Sequence, residues 1–237
     1  MKAKETQDRV TRERLLDAAE RLFGRLGYDG VGMRSLALEA QVNLGAATYH
    51  FGSKEALYTE TFMRRLRPAN AKRLQLLRAA QEAAHGEALP IALIIDCMVR
   101  PLFESMLEHS EFEIFLARNL FMPPPFLHAA IDKEFIPNVA AFIAALRQSL
   151  PGIPEDLLHL RVMFAMGGLL MFSVQVGNKP SLRDARRNEA ILKEMVHFIC
   201  TGIQSAPAVP ASELPEFPFP QRPAQARSRG RKTGKHS

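Results

Sequence analysis

At 237 residues, with 47% hydrophobic and 24% charged residues and 15 Phe, the chain carries enough apolar material for a sizeable core, which excludes global disorder. Two cysteines, Cys97 and Cys200, are too few for a disulfide framework or a cysteine-based zinc ribbon. The net charge of +6 is uneven: residues 1–78 hold 15 Lys and Arg against 9 Asp and Glu, residues 79–204 hold 10 against 14, and residues 205–237 hold 6 against 2; either the basic first part meets a polyanion or its helices are simply solvated faces, and charge alone does not decide between them.

The N-terminus is charged, with no apolar stretch before a cleavage site, and reads as cytoplasmic. From 9 to 26 the residues Leu15, Ala19, Leu22 and Leu26 recur at i, i+4, i+7 and i+11, one stripe of an amphipathic helix. Gly27 and the Asp29-Gly30 pair end it. A second short helix fits 33–40, with Leu36 and Ala40 inward. Asn43 is placed to cap a third helix that runs through His50. Phe51-Gly52-Ser53 breaks the chain again, and Ser53 caps a fourth helix without a full capping box, because Ala56 stands where Glu or Gln would.

The fourth helix can extend from 54 towards 84, with a kink or boundary at Pro68. Further helices are predicted at 88–109, 111–121, 126–150, 155–176 and 182–203, separated by proline- and glycine-containing breaks. The longest apolar run, 162–176, is shorter than the roughly 18–20 residues of a membrane span, so no membrane partner is expected. No segment alternates with period two, so no strands are predicted and the fold class is all-α. Six prolines between Pro207 and Pro223, then a basic glycine-containing end, read as a disordered Pro-rich basic tail over 206–237. Its charges either add phosphate contacts or are merely solvated.

Two short helices joined by a tight turn behind a longer one form a helix-turn-helix, whose second helix suits the roughly 12 Å major groove. The pattern alone is common in helical bundles; the residues filling it are more specific. They are Arg14-Leu15-Leu16-Asp17-Ala18-Ala19-Glu20-Arg21-Leu22-Phe23, Gly27-Tyr28-Asp29-Gly30, Met33-Arg34-Ser35-Leu36-Ala37, Ala40-Gln41-Val42-Asn43, and Tyr49-His50-Phe51-Gly52-Ser53-Lys54-Glu55-Ala56-Leu57. Over 11–68 this resembles the TetR family of transcriptional regulators, and the rest, to about Ile203, looks like the same family's ligand-binding and dimerisation half. Val42-Asn43-Leu44 with the Tyr49–Lys54 stretch is closest to the PsrA-like, fatty-acid-responsive branch.

The resemblance implies an N-terminal three-helix DNA-binding domain over 8–68 and a larger C-terminal helical domain over 69–205 for effector binding and dimerisation. It places Asn43, Leu44, Gly45, Ala46 and Thr48 at the reading helix, with Leu44, Gly45, Ala46 and Thr48 nearest base edges. Tyr49 and His50 match phosphate-holding positions; Tyr49 could instead pack on the first helix, and His50 could cap its own helix end. Lys54 adds charge where helix N–H groups favour an anion, and Arg34 is a backbone or base contact. Two residues depart from the pattern. Gln41 replaces the usual turn glycine, at a cost of order 1 kcal/mol if the turn needs a positive φ. Gly32 stands where Ser or Thr caps the second helix. With Leu44 and Ala46 apolar, sequence reading leans on thymine methyls, Arg34 and DNA shape.

In the C-terminal half, Ala165, Leu169, Phe172 and Val176 make one apolar stripe, with Gly167 and Gly168 allowing close approach, and Ile191, Met195, Phe198 and Ile199 make another. In the family this helix pair forms a four-helix bundle with its two-fold mate. Ala165, Gly168, Leu169, Phe172, Ile191, Met195 and Phe198 are therefore expected at a homodimer interface, and a symmetric dimer would read a palindromic operator. Met98, Phe103, Phe115, Phe121, Phe142 and Met166 either fill a core or line an apolar effector pocket. Arg118 either meets an effector carboxylate or phosphate or pairs with Glu111 or Glu113.

The reading that follows is a ligand-responsive DNA-binding repressor, released from double-stranded DNA by a small apolar, acyl-type effector such as a fatty acid or acyl-CoA. The alternatives are a TetR-type regulator of efflux sensing a drug-like ligand, and a DNA-silent helical ligand-binding or interaction dimer. No catalytic residues, cofactor or metal site are expected: HExxH, GxSxG, Walker and GxGxxG patterns are missing from the sequence, and His197 with Cys200 is a lone HxxC.

Overall fold

The computed structural model describes residues 2–108, 115–116, 118–119, 122–177 and 185–213, and among them the regular structure is entirely helical. The chain order is α1 (Lys2–Leu26), α2 (Met33–Glu39), α3 (Leu44–Phe51), α4 (Lys54–Ala83), α5 (Ile91–Glu108), a 3-10 turn (Pro125–Leu127), α6 (His128–Ser149), α7 (Glu155–Gly177) and α8 (Ala185–Gln204). The helix predicted at 111–121 lies largely outside the described residues; Phe115, Leu116, Arg118 and Asn119 within it are helical.

Helix boundaries follow the local chemistry. The helix α1 starts at Lys2, seven residues before the predicted start at 9, since Lys2–Asp8 contains no breaker. It stops at Gly27, whose φ of +74° only glycine adopts without strain. The capping amides behave as the spacing requires: Asn43 Oδ1 accepts from Ala46 N at 2.7 Å, and Ser53 Oγ accepts from Ala56 N at 3.1 Å. At the α2 start Gly32 offers no cap, and Ser35 Oγ compensates by accepting from Gly32 N at 3.1 Å and donating to Gly32 O at 2.7 Å.

No boundary falls at Pro68. It sits on an exposed position inside α4, a 30-residue helix that runs on to Ala83. The proline ring lies on the solvent side, and the inward stripe on either side, Leu66, Ala69, Asn70, Arg73 and Leu77, is continuous and buried. That stripe keeps the helix whole against a proline cost of ~3 kcal/mol. The result is a single rod that packs on α1 at one end and on α5 and α6 at the other.

Ion pairs fasten this rod to the head. Arg64 reaches Asp17 at 2.7 Å and Glu13 at 2.9 Å, Arg65 reaches buried Glu20 at 3.1 Å, and Arg12 pairs with Glu60. An aromatic cluster continues the joint: Phe23, Tyr58 and Phe115 lie within 4.6–6.2 Å of one another, and the Tyr58 hydroxyl donates to buried Asn119 Oδ1 at 2.7 Å. Burial pushes the Tyr58 phenol up from its ordinary pKa, so it stays a neutral donor.

Residues 206–213, counted in the sequence with the disordered tail, are placed in the structure. Arg161 donates to the carbonyls of Ile203 at 2.7 Å, Ser205 at 2.9 Å and Ala206 at 3.3 Å, capping the end of α8 and turning the chain back. A 3-10 turn, Ala211–Glu213, follows despite the neighbouring prolines. The remainder of that tail, 214–237, lies outside the described residues.

Candidate DNA-reading surface and effector half

The helix α3 has two faces. Ala47 and Phe51 are buried against the head, while Gly45, Thr48 and Tyr49, at i, i+3 and i+4, form an exposed stripe. Tyr49 is 77% exposed and Leu44 39%, so packing of Tyr49 on α1 does not occur. Ala46 and His50 are half-buried, and the Tyr49 and His50 rings meet edge-on at 5.2 Å. Arg34 is exposed near the start of α2.

Asn43 and Lys54 have structural engagements that the sequence did not separate from DNA contact. The Asn43 carbonyl oxygen is spent on the cap. The Lys54 ammonium lies 4.0 Å from the centroid of the Tyr28 ring, at the first turn of α4, a cation–π contact that leaves its N–H groups unspent. Tyr28 itself donates to Glu55 Oε1 at 2.7 Å. Burial, with that carboxylate alongside, pushes its phenol up to about 12, so Tyr28 remains neutral and holds the α4 start against the α1–α2 turn. The turn before α3 does require the left-handed region: Gln41 has φ of 57°, and this glutamine bears the cost that a glycine would avoid.

The residues expected around an effector divide differently. Met98, Phe103, Phe115 and Phe142 are buried and packed in the core, Met166 is half-buried against it, and Phe121 lies outside the described residues. Arg118 is exposed; its guanidinium lies against Gly27, and it lines a cleft of about 620 Å³ with Tyr28, Asp29, Tyr58 and Phe126 between head and body. Glu111 and Glu113 lie outside the described residues.

Sequence reasoning missed Arg73. It is 2% exposed on the inner face of α4, and burial pulls its guanidinium down to about 10. Its Nη1 donates to Asn70 Oδ1 at 3.1 Å and its Nη2 to Met166 Sδ at 3.7 Å, and the group lies 5.4 Å from the Phe142 ring centroid. The signal was present: Leu66, Asn70, Arg73 and Leu77 stand at i, i+4, i+7 and i+11, so an Arg on the core stripe was legible.

The α7–α8 pair presents a groove of about 790 Å³. Every residue expected at the dimer face lines it, but Ala165 and Leu169 are already buried within the chain, and Phe172 stacks on Phe103 of α5 at 6.1 Å. The outward residues are Gly168 and, one position off the predicted stripe, Phe164 and Met171, 64% and 55% exposed, with Phe198 on α8 at 76%. A Cβ built at Gly168 or Gly202 would meet no atom within 4 Å, so the notch these glycines leave is unfilled by the described residues. Ala208 and Val209 of the turned-back chain line its far end.

Among the described residues no helix is long and apolar enough to cross a membrane, and no three His, Cys, Asp or Glu side chains are grouped to hold a metal. Both cysteines are buried and burial pushes their thiols up.

Two family models match the chain: bacterial regulatory proteins of the tetR family over residues 15–61, and the tetracyclin repressor-like C-terminal domain over residues 96–202. No curated protein matches. Among solved structures, the fatty acid degradation regulator FadR from Bacillus halodurans superposes with a TM-score of 0.62 at 15% identity, over 80% of this chain and 98% of that one. The TetR family regulator PfmR from Thermus thermophilus gives 0.59 at 17% identity, over 82% and 98%. A TetR-family regulator from Bordetella parapertussis gives 0.60 at 17%, over 79% and 93%. At these identities the likeness is one of fold.

Proposed function

This chain belongs to the TetR family of helix-turn-helix, DNA-binding transcription regulators, and from that premise we propose that it is a repressor that binds a palindromic operator as a homodimer and is released by a small acyl-type effector. The DNA-binding part, assigned to 8–68, rests on one observation above the others: a capped reading helix whose Gly45, Thr48 and Tyr49 face outward with nothing of the head covering them. Phosphate contacts from Tyr49, His50, Lys54 and Arg34 would fix its register, and the short apolar surface of Leu44 and Ala46 would read thymine methyls.

Dimerisation is assigned to the α7–α8 face, where exposed Phe164 and Phe198 line a groove whose glycine notch the described residues leave unfilled, with exposed Met171 on the same helix. Two copies related by a two-fold axis would cover the same patch on each other, as a palindromic site requires. Effector release is assigned to α4. It carries Arg64 and Arg65, locked onto α1, and at its other end packs into the body. A ligand in the body that favours one position of α4 shifts the spacing of the two reading heads by its differential affinity for the two states.

The test is salt-titrated binding to a DNA fragment containing the gene's own upstream region, with a long-chain fatty acid, its acyl-CoA and a cationic drug-like compound added in turn. Specific binding weakened by the acyl compounds supports the proposal. Release by the cationic compound alone favours the efflux reading, and specific binding indifferent to all three overturns the effector assignment.

A further inference from the structure

The buried charged residues among those described are treated unequally. Glu20 is 5% exposed and faces Arg65. Arg73 is 2% exposed, with no acid of the described residues within ion-pairing distance. Its Nε has no hydrogen-bond partner, and neither has Nδ2 of Asn70, whose oxygen already accepts from the same guanidinium. The unspent Nε lies on the Nε–Nη2 edge of the guanidinium, the edge whose other donor meets only a sulfur. Its remaining contacts are weak or apolar: a thioether sulfur at 3.7 Å and the Phe142 ring. An isolated cation there is costly unless an anion answers it.

We propose that this point on the α4–α6–α7 seam seats the anionic head of the effector, a carboxylate on a hydrocarbon body. The proposal deepens the effector-release reading and rests on it for its consequence at DNA. A carboxylate takes the Nε–Nη2 edge of Arg73 with its two oxygens, a charge-assisted fork stronger than the sulfur contact it displaces, while Nη1 stays on Asn70. Phe142 and Met166 supply apolar walls for the chain of the ligand, and Met166 has the rotational freedom to swing aside on entry. The position also explains how a headgroup is reported: Arg73 is on the same helix, about two and a half turns beyond the Arg64 and Arg65 pairs that hold the head.

The experiment uses the full chain without DNA. Binding of decanoate, decyl phosphate and decanol is measured by calorimetry, with melting curves, for the wild type, Arg73→Met and Arg73→Lys. Decanoate binding at least about 10-fold tighter than decanol, loss of that preference in Arg73→Met, and a ligand-free Arg73→Met that melts at or above the wild-type temperature are the expected results. Arg73→Lys keeps the charge but loses Nε, and weakens decanoate several-fold even if Arg73→Met fails to fold. Decyl phosphate bound with decanoate excluded would overturn the carboxylate in favour of a phosphate head. Equal binding of decanoate and decanol, no binding of either anion, or undiminished decanoate binding by both variants overturns the site. Salt-titrated DNA binding is then measured with and without decanoate: decanoate bound through Arg73 with no change in DNA affinity leaves the site standing and removes the release reading.

Discussion

Gln41 shows how far a single position can be read. The sequence shows a glutamine where the family's turn carries glycine, and the φ of 57° supplies the reason that glycine is favoured there. Gln41→Gly is therefore expected to raise stability by about 1 kcal/mol in urea unfolding, whereas Gln41→Ala, which cannot relieve the strain, gains nothing. Asn43 was legible as a cap from its place before α3, and its 2.7 Å bond to Ala46 N confirms that use of the side chain. Asn43→Ala should cost ~1 kcal/mol of stability and weaken all DNA sequences alike, because it loosens the reading helix as a whole. Tyr49 is the converse: so exposed that Tyr49→Phe should leave the melting temperature unchanged and reduce DNA affinity about fivefold through one lost phosphate bond, measured by fluorescence anisotropy. What the sequence could not supply at this scale was the engagement of Lys54 with Tyr28 and the isolation of Arg73. Both depend on residues 26 to 93 positions distant in the chain.

At the scale of elements, apolar spacing located the helices because burial follows the 3.6-residue period, and the capping residues set two of the starts. It failed where the period was interrupted by local chemistry that tertiary packing overrode. Pro68 suggested a boundary, yet it falls on the solvent side of α4 while Leu66 to Leu77 stay buried. Pro68→Ala restores an amide able to donate to the Arg64 carbonyl and is expected to stabilise the protein by roughly 1–3 kcal/mol in thermal or urea unfolding. The stripe expected on α7 lines the groove, but its Ala165 and Leu169 are buried within the chain, and the most exposed apolar residues of that helix stand one position away. Leu169 and Phe172 are apolar at the correct spacing, but so are Phe164 and Met171, and periodicity alone does not say which of two apolar stripes on an all-round hydrophobic helix faces the chain's own core.

At the scale of the whole molecule an exposed reading helix and an apolar face left open by the described residues are joined by one rod, α4, which ion pairs pin to α1 of the head and which packs on α5 and α6 in the body. If the α7–α8 face is the dimer interface, Phe198→Glu puts a charge on its exposed centre without disturbing the internal core, and sedimentation should show a monomer with unchanged helix content that no longer binds the operator tightly. The central claim, that a symmetric dimer reads DNA through α3, is tested most directly by selecting tight binders from a pool of randomised duplexes with the full chain and sequencing them. The account predicts a single enriched motif with inverted half-sites, lost together with the enrichment when Tyr49 and Thr48 are replaced by Ala. A pool that stays random, or an enriched site without two-fold symmetry, would contradict it.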